Sequence, residues 1–294
     1  MLQIDGVTKR FGTRTALDDV SFEVGDGRLT GFVGGNGAGK TTTMRIILGV
    51  LSADSGSVSL GGSKLGPTDR RRFGYMPEER GLYAKMKVHE QLVYLARLHG
   101  VGQKDANANA TTLLDQLGLA ERAGDTVESL SLGNQQRAQI AAALVHGPEV
   151  LILDEPFSGL DPMAVETVLG VLQDVARRGA PVLFSSHQLD VVERLCDDVV
   201  VIADGTVRAS GSREKLQADN SGNQFELLVA GDAAWVRDMP GITVVDFDSG
   251  YALFQADTDD AAQHVLQRAM QNGTVVSFGP RRPSLTEIFK EVVR

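Results

Sequence analysis

Leu29-Thr30-Gly31-Phe32-Val33-Gly34-Gly35-Asn36-Gly37-Ala38-Gly39-Lys40-Thr41-Thr42 is the stretch that decides how this chain folds. Its first five residues are a short apolar run of the kind that makes a buried strand, and beyond Lys40 the apolar spacing changes. Met44, Ile47, Leu48 and Leu51 recur at i, i+3, i+4 and i+7, which predicts a helix over 40–51 with one apolar stripe against a sheet. Between strand and helix, Gly34 to Thr41 fits G-x-x-x-x-G-K-[ST]. Glycines let successive backbone N–H groups turn inward around a phosphate, and the helix N-terminus adds its dipole. Lys40 is expected to reach the β- and γ-phosphates as a point charge, and Thr41 to offer its hydroxyl to Mg²⁺. Asn36, Ala38 and Thr42 complete the expected phosphate cradle.

Outward from this loop, runs at 20–24 (VSFEV), 150–154 (VLILD), 181–186 (PVLFSS) and 198–203 (DVVVIA) read as strands, alternating with helical patterns to about residue 215. Several are continuously apolar, as strands covered on both faces are. The run at 150–154 delivers Asp154 and Glu155 at its C-terminal end, the edge where α/β sheets bind ligands. Asp154 is the expected carboxylate of the Mg²⁺ shell. Glu155 is then free to polarise an attacking water as general base, an effect worth roughly 10²- to 10⁴-fold.

Between 87 and 122 the strand signal disappears and Val88, Leu92 and Leu95, then Leu113, Leu114 and Leu117, predict a helical insertion. A polar, turn-rich run at 217–224 marks an expected linker. Beyond it come FELLV, a hairpin pattern of TVVDF and YALFQA, a helix begun by Thr258 and ended near Gly273, and the strand TVVSFG. A last helix opens with Ser284 and Glu287 in a capping box, which completes a small α+β domain.

Composition narrows the function classes. A length of 294 residues suggests about two domains. The single cysteine, Cys196, can form no internal disulfide, so a reducing cytoplasm is the expected compartment. No apolar run approaches the roughly 18 residues of a membrane span, and the N-terminal stretch with Asp5 has no pattern of a secretory signal. The formal net charge is −9, of which residues 216–294 carry −5, and the one basic run, Arg70 to Arg72, is short. That balance argues against nucleic acid as a partner, which needs phosphate neutralisation by Lys and Arg, and against docking on anionic lipid by charge alone.

Leu130-Ser131-Leu132-Gly133-Asn134, followed by Gln135-Gln136-Arg137, resembles the signature of the ATP-binding cassette (ABC) ATPases, usually written LSGGQ. Independently of the name, Ser131 can cap a helix running to His146, and a capped helix N-terminus is an anion site. Two anion sites in one chain suit a nucleotide held between two copies. The resemblance covers about residues 1–215 and assigns further roles. Phe11 matches the adenine-stacking aromatic, and Ser131, Gly133 and Asn134 the nucleotide contacts of the signature. Asp161, in Ser158-Gly159-Leu160-Asp161, matches the loop that communicates across the dimer, and His187 the switch histidine that meets the γ-phosphate. Glu78, in YMPEERGLY, stands where the family usually has Gln, in the loop linking the nucleotide site to the membrane partner. It thereby joins Glu155 and His187 as a catalytic candidate, and Thr41 and Asp154 as a candidate Mg²⁺ ligand. Leu132 and Asn134 are further departures that add bulk where backbone approaches phosphate. PEERGLY, LSLGN, the acidic C-terminal domain and the ending PSLTEIF together resemble the type-2 drug, antibiotic and sodium exporter subfamily.

The resemblance implies an α/β P-loop NTPase core over 1–216 with a helical subdomain at about 87–147, and a small α+β domain over 223–294. It implies ATP and Mg²⁺ as ligands, and a second copy and an integral membrane permease as partners. The expected location is cytoplasmic, peripheral at the inner face of the membrane, and the expected function is an ATPase subunit powering export. A soluble ABC protein of DNA repair or translation is disfavoured, because the chain has neither a long coiled-coil insertion nor a second cassette. A GTPase or phosphotransferase is disfavoured because no Asn-Lys-x-Asp motif is present and the signature segment would be unexplained. An importer subunit stays open, as do dimer support, regulation or passive packing for the C-terminal domain.

Overall fold

Leu2, Ile4 and Val7 turn inward along the first strand, β1 (Leu2–Phe11), and Leu17, Val20, Phe22 and Val24 do so along β2 (Arg14–Val24). Such near-alternation is what a sheet covered on one face demands. The computed structural model describes residues 1–79 and 81–292. It divides into two units, Met1–Arg213 and Glu214–Glu291.

In the first unit the chain continues through β3 (Leu29–Val33), α1 (Lys40–Ile47), β4 (Ser55–Leu60), β5 (Ser63–Lys64) and β6 (Phe73–Met76). The helical insertion follows as α2 (Val88–Leu98), α3 (Gln103–Gln116) and α4 (Leu132–Leu144), which pack on one another. The chain then re-enters the sheet as β7 (Val150–Leu153), with α5 (Pro162–Arg177), β8 (Val182–Ser186), α6 (Leu189–Leu195), β9 (Asp198–Ala203) and β10 (Thr206–Ser212). Strands β2-β1-β4-β5 form an antiparallel sheet. The other sheet runs β10-β9-β3-β8-β7-β6 and is parallel except for β10. Every residue of β3, β7 and β8 is buried, as for strands covered on both faces. Phe22 of the antiparallel sheet stacks on Phe32 of β3 at 5.1 Å between centroids, inside a core shared with Met44 and Ile47 of α1. Burying one such phenylalanine contributes about 2–3 kcal/mol.

The helix expected over 40–51 is shorter. It stops at Ile47, because Gly49 turns the chain at φ 69° and the N–H groups of Val50 and Leu51 fold back onto the Arg45 carbonyl. Leu48 and Leu51 still pack on the core, so the apolar spacing outlives the helix. The helix begun at Ser131 likewise ends at Leu144, ahead of His146.

The second unit contains most of α7 (Arg213–Asp219), which occupies the first part of the expected linker and leaves only 220–223 as connection to β11 (Gln224–Val229). β12 (Ile242–Asp248) and β13 (Tyr251–Ala256) pair as a hairpin around Ser249 and Gly250, and α8 (Asp259–Asn272) and β14 (Val275–Pro280) follow. The sheet order is β12-β13-β11-β14, with Ala262, Val265 and Ala269 of α8 in one core with Leu227 and Phe254. In α9 (Leu285–Val292) the capping box forms: Ser284 N–H donates to Glu287 Oε2 at 2.9 Å and Glu287 N–H to Ser284 Oγ at 3.2 Å.

Candidate functional site

Three adjacent parallel strands, β3, β8 and β7, end at the same edge of the sheet. From β3 the chain enters the loop 34–39. A Cβ on Gly34 would lie 2.4 Å from the Ile202 carbonyl oxygen, and Gly39 sits at φ 113° with Leu17 2.6 Å from a would-be Cβ, so both positions exclude a side chain. Lys40, 8% exposed, donates from Nζ to the carbonyls of Gly34 at 2.7 Å and Gly35 at 3.3 Å. Among the described residues no carboxylate pairs with it, and a buried ammonium resting on neutral carbonyls is poised for an anion. No side chain caps the N-terminus of α1, which leaves its first-turn N–H groups to a ligand. Loop, cation and helix end together fit a polyphosphate. Asn36, Gly37 and Ala38 lie within this loop, and Thr42 is half-buried in the first turn.

From β7 the chain delivers Asp154, 1% exposed. One of its oxygens accepts from the Thr41 hydroxyl at 3.0 Å and the other from the Ser185 hydroxyl at the end of β8. A hydroxyl beside a carboxylate is an oxygen-only donor set, which suits a hard divalent cation that takes its remaining ligands from phosphate and water. Glu155 has a left-handed backbone, φ 52°, unusual for a residue with a side chain. Its N–H donates to Ser185 Oγ at 2.9 Å. Its carboxylate lies 3.0 Å from His187 Nδ1, His187 itself being half exposed. Burial raises the Glu155 pKa, and the His187 hydrogen bond and the nearby Lys40 charge oppose that rise.

The other expected residues take different positions. Phe11, 50% exposed, ends β1 opposite Arg14, whose guanidinium is 3.7 Å from where a Cβ on Gly37 would stand. Phe11 therefore stands at the rim of the loop. Glu78 follows β6 and is exposed, and among the described residues no bond joins it to the Thr41–Asp154 pair, while the carbonyls on either side of it are held by Gln139. Ser131 caps α4 by accepting from Asn134 N–H at 3.4 Å, and Gly133 lies in the first turn beside Leu132, 60% exposed. The Asn134 side chain accepts from Arg137, and Asp161 caps α5 by accepting from Ala164 N–H at 2.8 Å. Among the described residues no hydrogen bond or ion pair joins Ser131, Gly133, Asn134 or Asp161 to Lys40, Asp154 or the Glu155 side chain. Ser185, Arg14, and Gln136 and Gln139 of α4 are absent from the expected set. Their only sequence signal is polarity at the end of an apolar strand, beside the loop, or on a buried helix face.

A family model described as ABC transporter matches residues 17–158, and one described as the C-terminal domain of DrrA1-3-like ATP-binding proteins matches 211–293. The ABC transporter ATP-binding protein YhaQ of Bacillus subtilis (strain 168) is 38% identical over 293 residues, which is all of this chain and 98% of that one. The chain belongs to the ABC transporter ATP-binding proteins. The daunorubicin resistance ATP-binding protein DrrA3 of Streptomyces coeruleorubidus is 31% identical over 300 residues, covering 98% of this ABC chain and 94% of the relative. The solved ATP-binding subunit of an ABC transporter is 32% identical with a TM-score of 0.69, over 74% of this chain and 92% of its own. A dimeric bacterial ABC transporter cassette shares the fold at 24% identity and a TM-score of 0.67, over 72% and 98%. The chain is thus an ABC ATP-binding subunit whose C-terminal unit matches a DrrA1-3-like domain.

Proposed function

We propose that this ABC subunit hydrolyses MgATP between two copies of itself and so powers export through a separate integral membrane permease. The observation that carries the reading is the Glu155 constellation: a buried carboxylate on a left-handed turn, fixed by Ser185, 3.0 Å from His187 and next in sequence to the Thr41–Asp154 pair. Thr41 and Asp154 would hold Mg²⁺, which when bound offsets charge on the β- and γ-phosphates. Lys40 adds a cation to the same phosphates. Glu155 takes the proton of the attacking water, and its burial strengthens it as a base. His187, held by that carboxylate through Nδ1, keeps an exposed ring edge that would be available to the γ-phosphate. Phe11 and Arg14 at the rim suit the base and its neighbouring charge.

What one chain leaves separate supports a second copy. Ser131, Gly133 and Asn134 surround a capped helix N-terminus, an anion site with no bond to the phosphate loop of its own chain. Closing the loop of one copy with that helix end of the other completes the nucleotide shell, with Asp161 in the adjacent segment. Among the described residues no helix is long and apolar enough to cross a membrane, so movement of cargo falls to another polypeptide. Exposed Tyr83 and Tyr94, edge to face at 6.5 Å, and exposed Leu98 follow Glu78 and supply an apolar face for that permease at the cytoplasmic side of the membrane. Export is supported by relatives named for daunorubicin resistance, linearmycin resistance and Nod factor export.

The decisive experiment is Glu155→Gln. Steady-state hydrolysis falls at least about 100-fold while MgATP affinity is retained, as loss of a general base requires. Retained turnover would remove Glu155 from that role.

A further inference from the structure

Two glutamines on one face of α4 hold the two segments on which the site depends. The Gln136 amide donates to the carbonyl oxygens of Glu155 at 3.0 Å and Pro156 at 3.1 Å. One turn on, Gln139, 4% exposed, donates to the carbonyls of Pro77 at 2.7 Å and Glu79 at 3.1 Å. Only the NH₂ end of an amide can face two carbonyls, so both side-chain orientations are dictated by their partners. The peptide groups flanking Glu78 are thereby tied to the same helix face as the peptide that carries the Glu155 side chain. The Glu155 residue is pinned twice, by Ser185 at its N–H and by Gln136 at its carbonyl. α4 is itself anchored on its other side, where Ala138 and Ala141 are buried and Arg137 Nη1 donates to the Leu117 carbonyl at 2.8 Å.

We propose that Gln136 and Gln139 are positioning residues that make α4 a crossbar between the Glu78 segment and the catalytic carboxylate. A displacement at Glu78 reaches the Glu155 turn through a single turn of helix, a span of about 4.5 Å held by backbone hydrogen bonds. The reverse path carries the state of the nucleotide site to Glu78. A loop tied only through its own chain would have to transmit the same motion along flexible backbone. The proposal rests on the ATP reading above and adds the route by which ATP and the Glu78 segment sense each other within one copy.

The test is amide hydrogen exchange on the full chain carrying Glu155→Gln, with and without MgATP, alone and combined with Gln139→Met or Gln136→Met. Methionine keeps the length of glutamine and removes both donors. In the parent, MgATP slows exchange at residues 34–41 and at 75–79. In each variant the response at 34–41 persists, while that at 75–79 falls about fivefold, the loss of roughly one net hydrogen bond. With Glu155 intact, Gln139→Met lowers kcat and leaves the KM for ATP unchanged, which a glutamine that merely fills space would not do. An undiminished response at 75–79 in both variants overturns the crossbar, as does a parent in which only 34–41 responds. A parent with no response at 34–41 overturns the ATP reading itself and the crossbar with it. Should Gln139→Met fail to melt cooperatively, Gln136→Met decides the matter by the same readouts.

Discussion

The phosphate-loop edge and the N-terminus of α4, the two anion sites of the proposed reading, are built in opposite ways. At the first, Asp154 and Ser185 are sealed in the interior, Lys40 and Glu155 are more than nine-tenths buried, and each is bonded to another member of the set or to the loop itself. At the second, Leu132 is exposed, and the polar side chains are engaged with their own helices: Ser131 with Asn134 N–H, Asn134 with Arg137, Asp161 with Ala164 N–H. A buried, mutually bonded cluster is fixed before any ligand arrives, which suits chemistry. An exposed helix end whose caps are satisfied offers only backbone N–H groups and a dipole, which suits a surface that meets its ligand when another molecule brings it.

The contrast can be broken most directly at Ser131. Ser131→Arg puts bulk and positive charge where, in the proposed dimer, the helix end would meet the phosphate held by the second copy, and hydrolysis is expected to fall about 100-fold, as when an oriented anion donor is lost. ATP binding by the isolated monomer stays intact. Normal, cooperative hydrolysis in that variant would show that the α4 end takes no part. Ser185→Ala probes the buried side. It leaves the Asp154 oxygen and the Glu155 N–H without their shared partner, a penalty of about 1–3 kcal/mol, and kcat should drop about tenfold with the ATP affinity little changed. A variant with wild-type kcat would mean that Glu155 needs no such anchor.

The smallest effect concerns the far end of α4, where His146 stacks on His99 at 3.8 Å and bonds the Phe73 carbonyl, just upstream of the Glu78 segment. Burial, then the neighbouring His99, lowers the His146 pKa to about 4. The folded imidazole is therefore neutral where the unfolded one already binds a proton. Its contribution to stability is complete above about pH 6.5 and is lost progressively as pH falls toward 4. Melting temperatures between pH 7 and 4.5 should decline less steeply in His146→Phe than in the parent; parallel curves would exclude His146 as a source of the acid sensitivity.

Local chemistry was legible in the sequence, and long-range partnership was not. The strands at 29–33 and 198–203, the phosphate loop, the Asp154–Glu155 pair at a strand end and the Ser284–Glu287 capping box are each contained in a few consecutive residues, so spacing and residue type reveal them. Strand β4 has Val58 as its one buried residue among three serines, a glycine and the partly buried Leu60, and it owes its extended form to pairing with β1. Ser185 lies 30 residues from Glu155 and Gln139 60 or more from Pro77 and Glu79, separations at which no periodicity speaks. The apolar spacing over 40–51 overstates the helix because the positions that pack on the core continue past the glycine that ends it.

The order of strands in the central sheet also governs when the site comes into being. β8 lies between β3 and β7, so the strand that carries the phosphate loop and the strand that carries Asp154 are not neighbours. A nascent chain that has emerged only as far as Glu155 holds the phosphate loop and every metal-shell candidate of its own half-site, yet lacks the strand that sets Thr41 3.0 Å from Asp154. At about 5–20 residues per second of synthesis, the interval before Ser186 follows is a matter of seconds. Pairings of such sequence separation form late and slowly. ATP capture thus becomes a property of the finished unit, and a ribosome-bound fragment ending before β8 should be blind to the nucleotide.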